Sequence, residues 1–360
     1  MAPCTLVVTT QTKHTGAILP DQTDDFYLSD ISPQDKPWEV HRSNASTVER
    51  LYAESGYQRY ADRIKQCSQL LGFAFEAQDG GELKIKLRQA NCCRVRHCPV
   101  CQWRRSLMWR ARFFQAVPKI MNDYPAGRWV FLTLTVKNCP IGELKATLGQ
   151  MNKAWVRLSQ RKQFPAVGLV KTVEVTRPWD CYDGSEFVGR HGKTWVFKWE
   201  KLHSRKLRLE PTSDAHPHFH CLMLVLPSYF SGQRYVSQEK WSELWQKSLR
   251  IDYTPIVHVK EVKPQYGKTF TIAHALLETL KYTVKESDLT HDAAWLQELT
   301  KQLHKTKAVS VGGVFKQYIS EEEPEDLIHA EGEEVEESTS DVDIWFGWRE
   351  MVKRYAKTER

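Results

Sequence analysis

The 360-residue chain has no run approaching the roughly 18 consecutive apolar residues that a membrane-spanning helix needs, so a membrane protein is excluded. Met1 to Pro20 has no basic stretch followed by a continuous apolar core; no secretory signal is expected, and the chain is read as cytoplasmic. There is no Gly-rich P-loop, which argues against a fused helicase, and no internal repeat. Nine cysteines, an odd number and partly clustered, do not make a disulfide framework. In a reducing compartment they read as metal ligands plus scattered free thiols.

Acidic residues are scarce outside one tract. Residues 321–343 hold twelve Asp and Glu and no Lys or Arg, so a chain of net charge +7 carries +19 on everything else. Such an excess suits a polyanion, because Lys and Arg displace the counterions condensed on phosphates. The tract itself, over 320–343, is expected to be disordered, either as a solvated tail or as an autoinhibitory mimic of DNA.

Residues 1–45, rich in Thr, Asp, Ser and Pro, read as a loosely ordered leader. Residues 46–125 form a cysteine-bearing and basic helical region, 126–319 the catalytic domain, and 344–360 a terminal amphipathic segment with Trp345, Phe346, Trp348, Met351 and Val352. Within the catalytic domain the β-branched and aromatic runs 129–136, 168–176 and 218–226 predict strands, and residues 271–286 predict a helix.

His216-Pro-His-Phe-His220 is the strongest single signal. Residues two apart on a strand project the same way, so His218 and His220 can share one ion. Glu174, between Val173 and Val175 on another predicted strand, is the candidate third ligand; pairing with a surface Arg or Lys is its alternative role. Two imidazoles and a carboxylate suit Mn²⁺ or Mg²⁺, and zinc or iron can occupy the same set.

On the predicted helix Glu278 and Tyr282 are four residues apart and would share a face. A phenol is a poor nucleophile at a pKa near 10, and Lys285, three residues on, can favour the phenolate. Upstream, Cys98-x2-Cys101 has the spacing of a zinc knuckle and Cys93 supplies a third sulfur. Cys67 is favoured as the fourth ligand, with Cys92 and His97 as candidates and a redox pair as the competing reading. Arg104, Arg105, Arg110 and Arg112, interleaved with Trp103 and Trp109, form a DNA-binding helix or a solvated basic face.

Taken in order, the strand 131–135 (FLTLT), the histidine motif 216–220 (HPHFH) and Tyr282-Thr-Val-Lys285 make the chain resemble the HUH-type initiators of rolling-circle plasmid replication. The cysteine cluster, the single tyrosine and Glu278 resemble one branch of that family. The resemblance implies a metal-dependent nick in plasmid origin DNA by Tyr282, giving a 5′-phosphotyrosyl link and a free 3′-hydroxyl. Glu278 would activate water at termination, and host helicase and polymerase would be partners. The fold expected is α+β, a central, largely antiparallel sheet flanked by helices, with a small zinc-binding subdomain. An HUH transposase or relaxase and a non-catalytic zinc-dependent DNA-binding regulator are the rival readings.

Overall fold

The computed structural model describes residues 26–77, 83–183, 185–191, 208–231, 234–262, 272–280, 283–322, 327 and 342–360. The chain divides into two compact units, residues 1–105 with 324–360, and residues 106–323. Among the described residues no helix is long and apolar enough to cross a membrane.

The first unit opens with α1 (Leu28–Ile31), α2 (Lys36–Glu54) and α3 (Gln58–Lys65), followed by strands β1 (Leu70–Ala77) and β2 (Leu83–Ala90). The helix α4 (Pro99–Asp123) begins in it. In the second unit the chain runs through β3 (Arg128–Thr135), β4 (Cys139–Pro140), α5 (Leu144–Ser159), β5 (Ala166–Thr176), the small strands β6 (Trp179–Asp183), β7 (Glu186–His191) and β8 (Arg208–Pro211), and β9 (Asp214–Val225). Then come α6 (Gln238–Leu249), β10 (Val257–Val262), α7 (Ile272–Thr279), α8 (Glu286–Leu289), α9 (Ala293–Gln302) and β11 (Val309–Gly313). Strands β12 (Ile344–Arg349) and β13 (Arg354–Thr358) return to the first unit.

Two expectations change here. The leader is not loose to residue 45: α2 starts at Lys36 and buries Trp38, Arg42 and Ala45. Pro33 and Pro37 mislead because each sits in the first turn of a helix, where a missing N–H costs nothing. The terminal amphipathic segment is a β-hairpin, in which Ile344, Phe346 and Trp348 alternate inward, and β12 pairs with β1 in the sheet order β13-β12-β1-β2.

The main sheet of the second unit has the order β10-β3-β9-β5-β11, antiparallel at every step. This is the α+β architecture expected, with the histidine strand at its centre. Alternation gives β9 two different faces. Leu222 and Leu224 join Trp129, Val170 and Val311 in a core closed by Phe113, Ala116 and Ile120 of α4 and Leu276 of α7. On the other face Phe219 packs edge-on against Trp155 of α5 and tilted against Trp245 of α6.

Phe315, just past β11, closes the core so tightly that a Cβ on Gly168 would stand 2.5 Å from its ring. The chain turns into it at Gly313, with φ +59° and ψ −143°, a region reserved for glycine. A Cβ there would lie 2.1 Å from the Val167 carbonyl oxygen. Gly313→Ala is therefore expected to lower unfolding free energy by about 2 kcal/mol or more, measured by urea denaturation.

Candidate active site

Glu174 on β5 is directly opposite His218 on β9, and Thr172 opposite His220. All three ligand-type side chains therefore leave the same sheet face, at the end away from the apolar core. The His218 and His220 Nε2 atoms lie 3.0 and 2.7 Å from one oxygen of Glu174, and all three residues are buried. Glu174 is thus not a surface ion-pair residue, as its alternative reading had it.

The outer nitrogens of both rings are held. Nδ1 of His218 is 3.2 Å from the His216 carbonyl, an acceptor only, so in a neutral ring that nitrogen carries the proton. Its Nε2 lone pair then faces a carboxylate oxygen, an arrangement that a cation between them resolves. Nδ1 of His220 is 3.1 Å from the Thr133 hydroxyl, and Phe131 stacks on the His220 ring at 5.5 Å. Thr133 and Phe131 lie within the strand motif, but their support of His220 is evident only from the β3–β9 register.

Burial disfavours an ionised Glu174, yet hydrogen bonds and charge from the two imidazoles in their protonated form more than reverse this and hold its carboxyl far below the usual range. Burial also lowers the proton affinity of His220, against the opposing pull of Glu174, with the charge of Glu278 adding a smaller upward contribution. A neutral imidazole beside an ionised carboxylate is the ligating form of both groups. The three ligand atoms lie within 4.8 Å of one another, so the residues fit a divalent cation.

The tyrosine helix is shorter than expected. α7 stops at Thr279, and at Val284 the chain is extended, bridged in parallel to Val175. Tyr282 itself, and with it the expected shared face of positions 278 and 282, lies outside the described residues. Glu278 is exposed on α7; Lys285, also exposed, has extended backbone and caps α8. β5 grips this region twice: the Thr172 hydroxyl donates to the Thr279 carbonyl at 2.7 Å, and the Val175 N–H to the Thr283 carbonyl at 2.7 Å. Arg177 adds a third hold, its N–H donating to Asp288 at 2.9 Å.

In the first unit Cys67, Cys93, Cys98 and Cys101 converge, all buried. The sulfurs of Cys67 and Cys101, Cys93 and Cys101, and Cys67 and Cys98 lie 3.6 to 3.7 Å apart, and all four lie within 4.8 Å of one another. Disulfide bonds are far shorter, whereas the edge of a tetrahedron with ~2.3 Å zinc–sulfur bonds is ~3.8 Å. The Arg94 N–H donates to Cys101 at 3.2 Å and the Cys93 N–H to Cys67 at 3.4 Å. Hydrogen bonds from Cys67 and the other thiols hold Cys101 well below the usual thiol range, while burial pushes Cys98 up. One thiolate is stable alone; ionising all four requires a cation. Of the alternatives, Cys92 and His97 stand outside this ligand set.

The basic helix departs from expectation at Arg104, which is buried, donates to the Leu327 carbonyl and stacks over Trp38 and Trp103. Arg105 donates to the Arg94 carbonyl, and Arg112 donates to the Ser320 carbonyl and lies over Trp109. Arg104 therefore acts within the fold, and Arg110 likewise has interactions within the protein.

Residues 84–356 match the family described as Replication protein. The chain is 32% identical over 325 residues to "Protein rep" of Streptococcus pneumoniae serotype 2 (strain D39 / NCTC 7466), covering 87% of this chain and 90% of that one. It is 31% identical to "Protein rep" of Lentilactobacillus hilgardii, covering 83% and 87%, and 26% identical to that of Bacillus amyloliquefaciens, covering 94% and 97%. No solved structure matches the chain.

Two outcomes test these centres. Glu174→Gln should weaken Mn²⁺ binding by at least tenfold in calorimetric titration, and Thr133→Val, which only frees the His220 ring, by about tenfold. Elemental analysis should find one zinc per chain in the unaltered protein and in Cys92→Ser, and none in Cys67→Ser.

Proposed function

The chain belongs to the Replication protein family, as its resemblance to rolling-circle initiators implied, and we propose that it starts plasmid replication by nicking one strand of origin DNA with Tyr282. The observation that carries this reading is the double grip of β5: the strand that supplies Glu174 bonds the chain at Thr279 and again at Thr283, on either side of residue 282. The described residues on either side of position 282 are thus tied to the strand that supplies Glu174, which supports a nucleophile within reach of the metal ligands.

Glu174, His218 and His220 would hold Mn²⁺ or Mg²⁺, and the two nitrogen ligands favour the former. Bound there, the ion would polarise the scissile phosphate and fix its orientation. The phenol oxygen of Tyr282 attacks phosphorus, the bond from phosphorus to the 3′ oxygen breaks, and the 3′ oxygen leaves as a hydroxyl once protonated. The 5′ phosphate stays on the tyrosine. Lys285 favours the phenolate through its charge. Glu278, close enough for its charge to act on His220, serves as general base toward water in the terminating cleavage. The four thiols of the first unit hold a structural zinc. Origin DNA is the substrate, and host helicase and polymerase act on the freed 3′ end.

Full-length protein incubated with labelled single-stranded origin oligonucleotide and Mn²⁺ should give an adduct on denaturing gels that disappears in EDTA. Tyr282→Phe should bind the oligonucleotide normally and form no adduct; adduct at undiminished yield would refute the assignment. Glu278→Ala should nick at near-normal rate and terminate slowly, and equal impairment of both steps would count against its role.

A further inference from the structure

The sheet face that carries the triad continues past it onto β10, the edge strand of the described sheet. The register aligns His258 with Thr133 and His220, and Lys260 with Phe131 and Leu222, across β10, β3 and β9. Directly opposed residues of antiparallel strands project to the same side, so His258 and Lys260 stand on the face of His218 and His220. At one end this face is covered, with Trp129, Leu222 and Val262 packed into the core. At His258 and Lys260 it is open, and both side chains are exposed, while Phe131 and Thr133 between them and the triad are half-buried. Glu261, the acidic residue of β10, points to the opposite face and pairs with Arg128. Among the described residues the open row presents cationic and donor groups, and the carboxylates acting on His220 are Glu174, which both imidazoles face, and Glu278 of α7.

We propose that His258 and Lys260 form a phosphate track that leads one DNA strand across the sheet to the metal centre. Lys260 contacts a backbone phosphate as a point charge, and His258 donates a ring N–H to a neighbouring phosphate oxygen. Two strand spacings separate His258 from His220, about 10 Å. His258 and Lys260, two residues apart on one strand, stand about 7 Å apart and meet neighbouring phosphates, so about 10 Å places these contacts one or two nucleotides from the phosphate at the triad. The position of the scissile phosphate in this proposal rests on the nicking reading; the existence of the track does not.

The test is fluorescence anisotropy of the full chain with labelled single-stranded origin oligonucleotides in EDTA, where no cleavage intervenes. The double variant His258→Ala/Lys260→Ala should bind about tenfold more weakly, with a shallower dependence of affinity on salt. Both side chains are exposed, so circular dichroism should be unchanged, and Lys260→Arg should retain the affinity. With Mn²⁺, KM should rise about tenfold in the double variant while kcat stays within about threefold. Oligonucleotides trimmed to one nucleotide on each side of the nick, which keep only the phosphate at the triad, should not distinguish the variant from wild type. Unchanged affinity and salt dependence on the long oligonucleotide would overturn the track, as would equal loss on the trimmed one. Weakened binding by the variant, with no adduct from the wild-type chain, would support the track and refute the nicking reading alone.

Discussion

One carboxylate between two imidazoles sets the terms for the second unit. Glu174 is buried, and the same oxygen faces both His218 and His220, so the arrangement survives only if β5 and β9 keep their register. A slip of one residue would send the triad to the opposite face. That face is already committed: Phe219 is wedged against Trp155 and Trp245, and Lys171 lies over the Phe219 ring at 3.9 Å with its ammonium donating to Asn152 at 3.0 Å. The buried Lys171 has these partners only in the observed pairing. Packing on one side and the Glu174–histidine contacts on the other therefore enforce the same alignment, and the apolar packing is what holds the polar site in shape.

The first unit meets a similar constraint by different means. Its sulfur cluster draws on the turn after α3, the segment after β2 and the opening turn of α4, where Cys98 and Cys101 are three residues apart and share a side. One ion would tie these elements to a common centre, next to a sheet completed by the C-terminal hairpin. Buried cations are handled through carbonyls: Arg42 donates to Ile64 and Lys65, and Arg104 to Leu327. An arginine in a basic, tryptophan-rich helix can therefore be a structural donor, and its charge alone does not mark it as a DNA contact.

The histidine strand was legible because period-2 alternation is a local property, and so was the thiol set, because ligand spacing constrains chelation. Misread segments are those in which local pattern and long-range pairing disagree. Residues 344–352 fit a helical stripe as well as an alternating one, and only pairing with β1 selects the latter. Leu276 and Leu280 continue a helical period that stops once Thr283 and Val284, β-branched and favouring extended backbone, find Val175. The supports of the triad, Thr133 and Phe131, lie 87 and 89 positions from His220 in sequence, and nothing local announces them.

β5 joins the site into one mechanical piece. It uses the Thr172 hydroxyl to hold Thr279, the Glu174 carboxylate to meet both histidines and the Val175 N–H to hold Thr283, and just past its end the Arg177 N–H holds Asp288. Side chains at 172 and 174 point to the face of the two histidines, while the backbone N–H of 175 bonds in the plane of the sheet, so one strand can serve the triad and the residues flanking position 282 together. Each hydrogen bond contributes only about 1 kcal/mol net, too little to create the geometry alone. Their value is directional: once the core sets the strand, a displacement of the 279–288 segment must break several bonds together. The proposed phenol nucleophile, a weak one, needs that kind of restraint in its flanking residues more than it needs stronger individual contacts.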